Sequence, residues 1–274
     1  MKAFRFLPLL LPFAFISCDD PVELDLPEGQ PLMVVDGWIN NQSVPDTIKL
    51  STTAGYFNNG PLPVVTGAEV SITGSDNSED VLTEVAPGRY VSNTLLGKIG
   101  HAYTLHIKHG GEEYRAVSES KRVPPIDSVK AVYREKSAFY DEGYYVHYFG
   151  PELPGKGDFY RFKLYRNDTL LNKPQDLTFV DDKLVDGNYI GNIELHEEPF
   201  KSGDRVRVET LSITEDAYYF FNEAVSQMFN GGLFARPVVN IRTNVQNVNP
   251  ASPRKAVGYF GASAISALEV VCEK

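Results

Sequence analysis

The feature of this sequence that most limits its fold is a series of short runs in which apolar and polar residues alternate. A period of two places every second side chain on one face of a β-strand. The runs are separated by glycine, asparagine, aspartate and proline, which favour turns. The sequence therefore predicts an all-β protein built from antiparallel sandwiches. The expected strands are 33–39, 47–52, 68–73, 103–108, 114–118, 128–133, 144–149, 159–165, 189–195, 205–213 and 257–265.

A pair of prolines, Pro124 and Pro125, interrupts this pattern near the middle of the chain. Two consecutive prolines form a stiff extended connector and cannot continue a central strand. We therefore expect two β-sandwich domains, residues 32–123 and residues 126–274, each long enough to bury its own core.

One segment of the second domain has helical spacing instead. Ser212 and Glu215 match a capping box, and the glycines at 231–232 are a stop signal. The sequence predicts a single α-helix near 214–229 whose apolar face packs on a sheet. The apolar residues at helical spacing are Ala217, Phe220, Phe221, Ala224, Val225 and Met228.

The N-terminus has the order of a bacterial lipoprotein signal peptide. Basic residues come first, and the apolar run over 6–16 that follows is too short to span a bilayer. Ser17 and Cys18 then place a small residue and a thiol where the mature chain would begin. We expect residues 1–17 to be removed and Cys18 to carry the lipid, which anchors the protein to a membrane.

An acidic, proline-rich stretch, residues 18–31, predicts an extended tether after the lipid. Loss of Lys2 and Arg5 with the signal peptide lowers the formal net charge from −10 to −12. An acidic protein repels phosphate backbones, so nucleic acid is not an expected partner. Once Cys18 is lipidated, Cys272 has no other cysteine of the chain to pair with, and we interpret it as a small hydrophobic residue.

Two resemblances accompany these patterns. Residues 35–39, 67–70, 88–90 and 100–105 resemble a transthyretin-like or carboxypeptidase-regulatory-like β-sandwich. Across the mature chain, short motifs resemble those of a family of Bacteroidota lipoproteins known as domain of unknown function 4249 (DUF4249). The polar stretch 244–255 departs from the family's pattern. These motifs are residues 24–28, 50–53, 56–57, 123–128, 230–232 and 258–262.

The DUF4249 resemblance implies an outer-membrane lipoprotein whose gene often lies beside that of a TonB-dependent transporter, and it implies no catalytic residues. In the same phylum, acidic residues after the lipidated cysteine resemble a surface-export signal, which makes Asp19 and Asp20 candidates for that signal. Aspartate followed by serine or threonine and an apolar residue resembles the O-glycosylation signal of that phylum. The candidate glycosylated residues are Thr47, Ser128 and Thr169.

Several residue groups are candidates for chemical sites. His106 and His109 fall on opposite faces of one strand, so solvent contact is favoured over a zinc site. The acidic stretch 181–188 lacks the spacing of an EF-hand and is interpreted as a solvated turn, with a bound cation as the alternative. The tyrosine-rich stretch 140–149 is interpreted mainly as core, with a sugar platform as the alternative. We expect no cofactor and no metal.

The sequence contains no nucleophile elbow, zinc-binding helix or phosphate loop, and we expect a protein that is not an enzyme. The leading hypothesis is an accessory subunit on the extracellular side of the outer membrane. It would dock on a TonB-dependent β-barrel transporter and help to bind and admit a small ligand. An independent glycan- or protein-binding adhesin is the alternative. A hydrolase with dispersed carboxylates is a third hypothesis, because such residues meet only in space.

Overall fold

A computed structural model describes residues 29–55, 58, 60–231, 237 and 239–273. The strands of the N-terminal half are β1 (Met33–Asn40), β2 (Thr47–Thr52), β3 (Glu69–Gly74), β4 (Glu79–Val81), β5 (Thr83–Ala86), β6 (Arg89–Val91), β7 (Ala102–His109) and β8 (Glu112–Glu119). Those that follow are β9 (Ser128–Arg134), β10 (Gly143–Pro151), β11 (Phe159–Arg166), β12 (Thr169–Leu170), β13 (Thr178–Asp181), β14 (Tyr189–Glu194) and β15 (Arg205–Ile213). A 3₁₀-helix (Pro174–Asp176), the helix α1 (Glu215–Met228), β16 (Gln246–Asn247), β17 (Ala256–Ser263) and β18 (Ile265–Val271) complete the described elements.

The first sandwich has two five-stranded sheets, in the orders β17-β1-β2-β6-β5 and β16-β8-β7-β3-β4. Alternate residues of both sheets point inward, as the period of two predicts. Ile39 and Ile48 from one sheet and Ile72 and Leu105 from the other are fully buried in a common core. Burial of such side chains stabilises the sandwich by about 1.5–3 kcal/mol each.

The second sandwich packs the sheet β14-β10-β9 against the sheet β12-β11-β15-β18, with β13 also paired to β11. Its core joins Val146 of β10 to Leu164 and Val208 of the facing sheet. Cys272, predicted to be a small hydrophobic residue, is buried in this core, and burial raises the pKa of its thiol to about 11. Over the described residues, the all-β fold with two sandwiches and one α-helix is confirmed.

The strand pairings differ from the expected division into residues 32–123 and 126–274. The late strands β16 and β17 belong to the first sandwich, where β17 pairs with β1 in parallel over eight residues. One residue, Ala264, separates β17 from β18 in the second sandwich. The chain therefore passes between the sandwiches after β8, after α1 and at Ala264. Local patterning could not reveal this return, because a strand's partner lies far away in the sequence.

Helix α1 follows the predicted bounds closely, but its cap differs. Thr214 is the N-cap residue, and its side chain accepts a hydrogen bond from the Ala217 amide at 3.2 Å. The predicted cap, Ser212, lies in β15 instead. Its hydroxyl donates to the Lys121 carbonyl oxygen at 2.7 Å and accepts from the Ala264 amide at 3.0 Å. Ser212 thus joins two of the places where the chain passes between the sandwiches.

Candidate functional site

Three buried carboxylates meet at one end of the second sandwich. Glu152 follows β10, Asp158 precedes β11, and Asp182 follows β13. The antiparallel register of β11 and β13, in which Phe159 faces Asp181, brings the last two together. Their exposed fractions are 4%, 9% and 1% respectively, and one oxygen from each lies within 4.8 Å of the others.

Arg122, in the connector after β8, closes this acidic cluster. Its Nη2 lies 2.6 Å and its Nε 3.0 Å from Asp158 Oδ2, and Nη2 also donates to the carbonyl oxygens of Pro154 and Gly155. The hydrogen bond with Asp158 raises the pKa of the Arg122 guanidinium. A planar guanidinium suits this geometry, because it satisfies a carboxylate and two carbonyl groups at once.

The other two carboxylates also have partners. Asp182 Oδ2 accepts from the amides of Gly157 at 2.8 Å and Asp158 at 3.1 Å. Glu152 accepts from the Tyr160 hydroxyl at 2.8 Å. Burial and the neighbouring carboxylates raise the pKa of Glu152, although the bond from Tyr160 opposes this rise. Burial likewise raises the pKa of Tyr160.

These contacts bear on residues 181–188, interpreted from the sequence as a solvated turn with a bound cation as the alternative. The acidic residues of that stretch have different partners. Asp182 belongs to the acidic cluster, Asp181 Oδ2 lies 2.9 Å from Lys183 Nζ, and Asp186 accepts a hydrogen bond from the Gly155 amide. A calcium ion takes six to eight oxygen ligands, whereas here an arginine, a tyrosine and backbone amides already bind the carboxylates. The interpretation as a solvated turn is wrong for Asp182, which is buried. These hydrogen bonds join the connector after β8 to the loops of the second sandwich.

Aromatic residues fill the junction between the two sandwiches. Trp38 of β1 lies 5.6 Å from Phe221 of α1 and 6.2 Å from Tyr259 of β17, measured between ring centroids. Phe221 in turn stacks on Phe179 of β13 at 4.6 Å. The Trp38 indole donates to Ser263 Oγ at 2.8 Å. Trp38 therefore joins strands of both sandwiches and the helix.

The family was tested by comparison with known proteins. A family model described as Domain of unknown function (DUF4249) matches residues 19–269. The chain belongs to this family. The match extends over both sandwiches, and it confirms the family that the short motifs indicated. No match to a curated protein was found.

The tyrosine-rich stretch of this DUF4249 protein is mostly core, as interpreted. Tyr144, Tyr145 and Tyr148 are buried, whereas Tyr140 is exposed and lies with its ring against the Arg134 guanidinium. An open cavity of about 640 Å³ lies beside Tyr144. It is lined by Tyr133, Glu142, Gly143, Tyr144, Pro199, Phe200, Lys201 and Ser202.

The histidines of this DUF4249 protein are dispersed. His106 lies near the Thr73 hydroxyl on β3, and His109 ends β7 at the hairpin. His147 is buried, and its Nε2 lies 3.8 Å from Glu194 Oε2. His196 lies 3.1 Å from Asp176 Oδ1 and 2.8 Å from the Glu198 carbonyl oxygen.

The predicted modification residues have different environments. Thr169 is exposed, whereas Thr47 in β2 and Ser128 at the start of β9 are half-buried. Cys18, Asp19 and Asp20 lie outside the described residues. No helix in the described part of this DUF4249 protein is long and apolar enough to span a membrane.

Sequence reasoning missed Arg122 and the pair Arg161 and Lys163 on β11. The only signal for the pair was the alternation of cations and apolar residues in Phe159-Tyr160-Arg161-Phe162-Lys163-Leu164. Nothing near Arg122 in the sequence indicated its partners, because Asp158 lies 36 residues away.

Proposed function

We propose that this DUF4249 chain is a lipid-anchored, surface-exposed lipoprotein of the outer membrane that acts as an accessory binding and gating subunit of a TonB-dependent transporter. The observation that carries the proposal is the sequence Phe15-Ile16-Ser17-Cys18, followed at once by Asp19 and Asp20. The family match begins at residue 19, directly after the cysteine expected to carry the lipid.

The structure supports binding rather than bond-making chemistry. In the acidic cluster, Arg122 binds Asp158 and Tyr160 binds Glu152, so these carboxylates have structural partners. The aromatic junction around Trp38 packs the two sandwiches against each other. Such a body can present a large surface to a partner.

The tether adds reach to this body. The sequence predicts an extended, acidic and proline-rich stretch of about a dozen residues after Cys18. An extended segment of that length spans at most about 40 Å. The sandwiches can therefore lie over a neighbouring barrel while the lipid stays in the membrane.

The anchor is tested by replacing the cysteines one at a time. We expect Cys18→Ala to give a soluble or uncleaved precursor, because no other residue of the signal region offers a thiol to the lipid. Cys272→Ala is the matched control, since Cys272 is buried, and it should remain anchored. A Cys18→Ala protein that is processed normally and stays in the membrane fraction would refute the lipoprotein assignment.

The proposed partner is tested by isolating the protein from solubilised outer membranes, where recovery with a large β-barrel protein is expected. The neighbouring gene offers an independent check: a transporter gene supports the accessory subunit, and a run of carbohydrate enzymes favours the alternatives.

An independent glycan-binding adhesin is the second candidate. The cavity beside Tyr144 favours it, because a phenol, a carboxylate and an ammonium group from Tyr133, Glu142 and Lys201 can all hydrogen-bond to sugar hydroxyls. Binding on a glycan array that Lys201→Ala abolishes and Lys136→Ala preserves would select this candidate. Absence of glycan binding by the unaltered chain would remove it.

A further inference from the structure

Strand β11 places two cations on the face of its sheet that is turned toward the first sandwich. Arg161 and Lys163 are two residues apart and therefore share a face with Phe159. Phe159 belongs to the aromatic cluster that includes Trp38 and Phe221. The cations thus lie beside the junction, and both side chains are half-buried.

Arg161 is packed on aromatic rings, and its guanidinium forms no ion pair within 4 Å among the described residues. Its guanidinium carbon lies 4.9 Å from the ring centre of Phe221 and 5.6 Å from that of Phe179. Its buried Nε has no hydrogen-bond acceptor in the described part of the chain. The rings attract the guanidinium, but they cannot replace the acceptors that water would supply.

Lys163 has no carboxylate within 4 Å among the described residues, whose ion pairs lie elsewhere. Burial, together with the charges of Arg161 and Arg207, lowers the pKa of Lys163 to about 8, although the charges of Asp36 and Asp46 oppose this fall.

Asp36 and Asp46, whose charges raise the pKa of Lys163, have other partners. Asp36 lies 3.4 Å from the Lys49 ammonium group. Asp46 accepts from the backbone amide of Asn40 at 3.0 Å and from its side-chain amide. Arg207 is similarly paired with Glu209. Within the part of the chain that the structure describes, the cations on β11 therefore have no ion-pair partner of their own.

Removing an unpaired cation from water costs free energy, and a bound anion would offset that cost. Guanidinium and ammonium groups together match the oxygens of a carboxylate or a phosphate. Ligand sites also occur preferentially where two domains meet. We propose that Arg161 and Lys163 bind an oxyanion, the carboxylate or phosphate group of a small ligand, at the junction of the two sandwiches.

Thermal unfolding of the full chain at pH 7 and constant ionic strength tests this site, with sodium phosphate and sodium acetate as probes against a chloride background. We expect a rise in Tm of about 3–5 °C when the bound anion exceeds its Kd roughly tenfold. A larger response to phosphate identifies a phosphate site, and a larger response to acetate identifies a carboxylate site. A response to neither overturns the proposal.

Three variants locate the effect. Arg161→Met and Lys163→Met should abolish the rise, and Lys136→Met, which removes an exposed positive charge elsewhere, should preserve it. In chloride alone, Lys163→Met should unfold at the same or a higher temperature, because it removes an unpaired cation. An equal rise in all four proteins would overturn the site.

A second measurement does not depend on how the variants fold. The Nε–H signal of Arg161 in the unaltered protein should shift on titration with the same anion, since that group gains an acceptor. A signal that stays unchanged while Tm rises would show that the anion binds elsewhere.

Discussion

Gly261 of β17 lies directly against the indole ring of Trp38 in the neighbouring strand β1. A β-carbon at position 261 would come 2.2 Å from Trp38 Cζ3. The parallel register pairs the same two residues, so the glycine leaves the space that the indole occupies. This close approach lets Trp38 reach Ser263 and the aromatic rings of α1.

Gly261→Ala should therefore lower the free energy of unfolding. Overpacking of a filled site typically costs about 1–3 kcal/mol. Gly231→Ala is the matched control, because a β-carbon there would meet nothing within 4 Å. Urea unfolding followed by Trp38 fluorescence measures both variants. Equal stability of the two variants would show that the indole does not need this space.

Arg122→Met should destabilise the protein by about 2 kcal/mol or more, because it leaves Asp158 beside two other buried carboxylates without its charged hydrogen bonds. Arg205→Met removes an exposed pair with Asp168, which is expected to contribute less than about 1 kcal/mol. Chemical unfolding at pH 7 compares the two. A similarly small loss of stability in both variants would mean that Arg122 does not stabilise the acidic cluster.

The acid Asp46 should make stability depend on pH. Burial raises its pKa from 3.8 to about 7 in the folded protein. The folded chain then holds a proton that the unfolded chain has released, so the stability that this group contributes is lost as the pH rises from about 4 through 7. We expect the unaltered protein to lose up to about 4 kcal/mol relative to Asp46→Asn across this range. A pH-independent difference would contradict the assignment.

Asp80 provides a control of the opposite sign. Burial raises its pKa, but hydrogen bonds from Thr94, Leu95, Ser92 and Asn93 outweigh burial and lower it overall. Relative to Asp80→Asn, the unaltered protein should therefore lose stability as the pH falls through the lowered pKa.

Of the three candidate glycosylation residues, Thr169 should carry a glycan in the native host. Its exposed hydroxyl lies in the short strand β12, where a bulky group displaces no core contact. Thr47 is half-buried between β1 and β6 and should stay unmodified. Intact mass gives the answer: a glycan mass lost in Thr169→Ala and kept in Thr47→Ala is expected. A mass equal to that of the lipidated chain alone would remove the prediction.

The sequence was sufficient for features that depend on local chemistry. Alternation in Thr47-Ile48-Lys49-Leu50 specifies a strand with one buried face, and the spacing of Phe221 and Val225 specifies a helix. The parallel partner of β1 and the charge contact between Arg122 and Asp158 could not be predicted. Both depend on which distant segments of the chain pack together. The spacing of polar residues along the sequence carries no signal for such long-range contacts.

Co-purification from the outer membrane tests the proposed partnership with a TonB-dependent transporter. The tagged, unaltered chain is isolated from native outer membranes in mild detergent, with Cys18→Ala as the control for incidental capture. We expect a large β-barrel protein to be recovered with the unaltered chain in near-equal amounts, and not with Cys18→Ala. Recovery of the lipidated protein without any such barrel would contradict the proposed partnership.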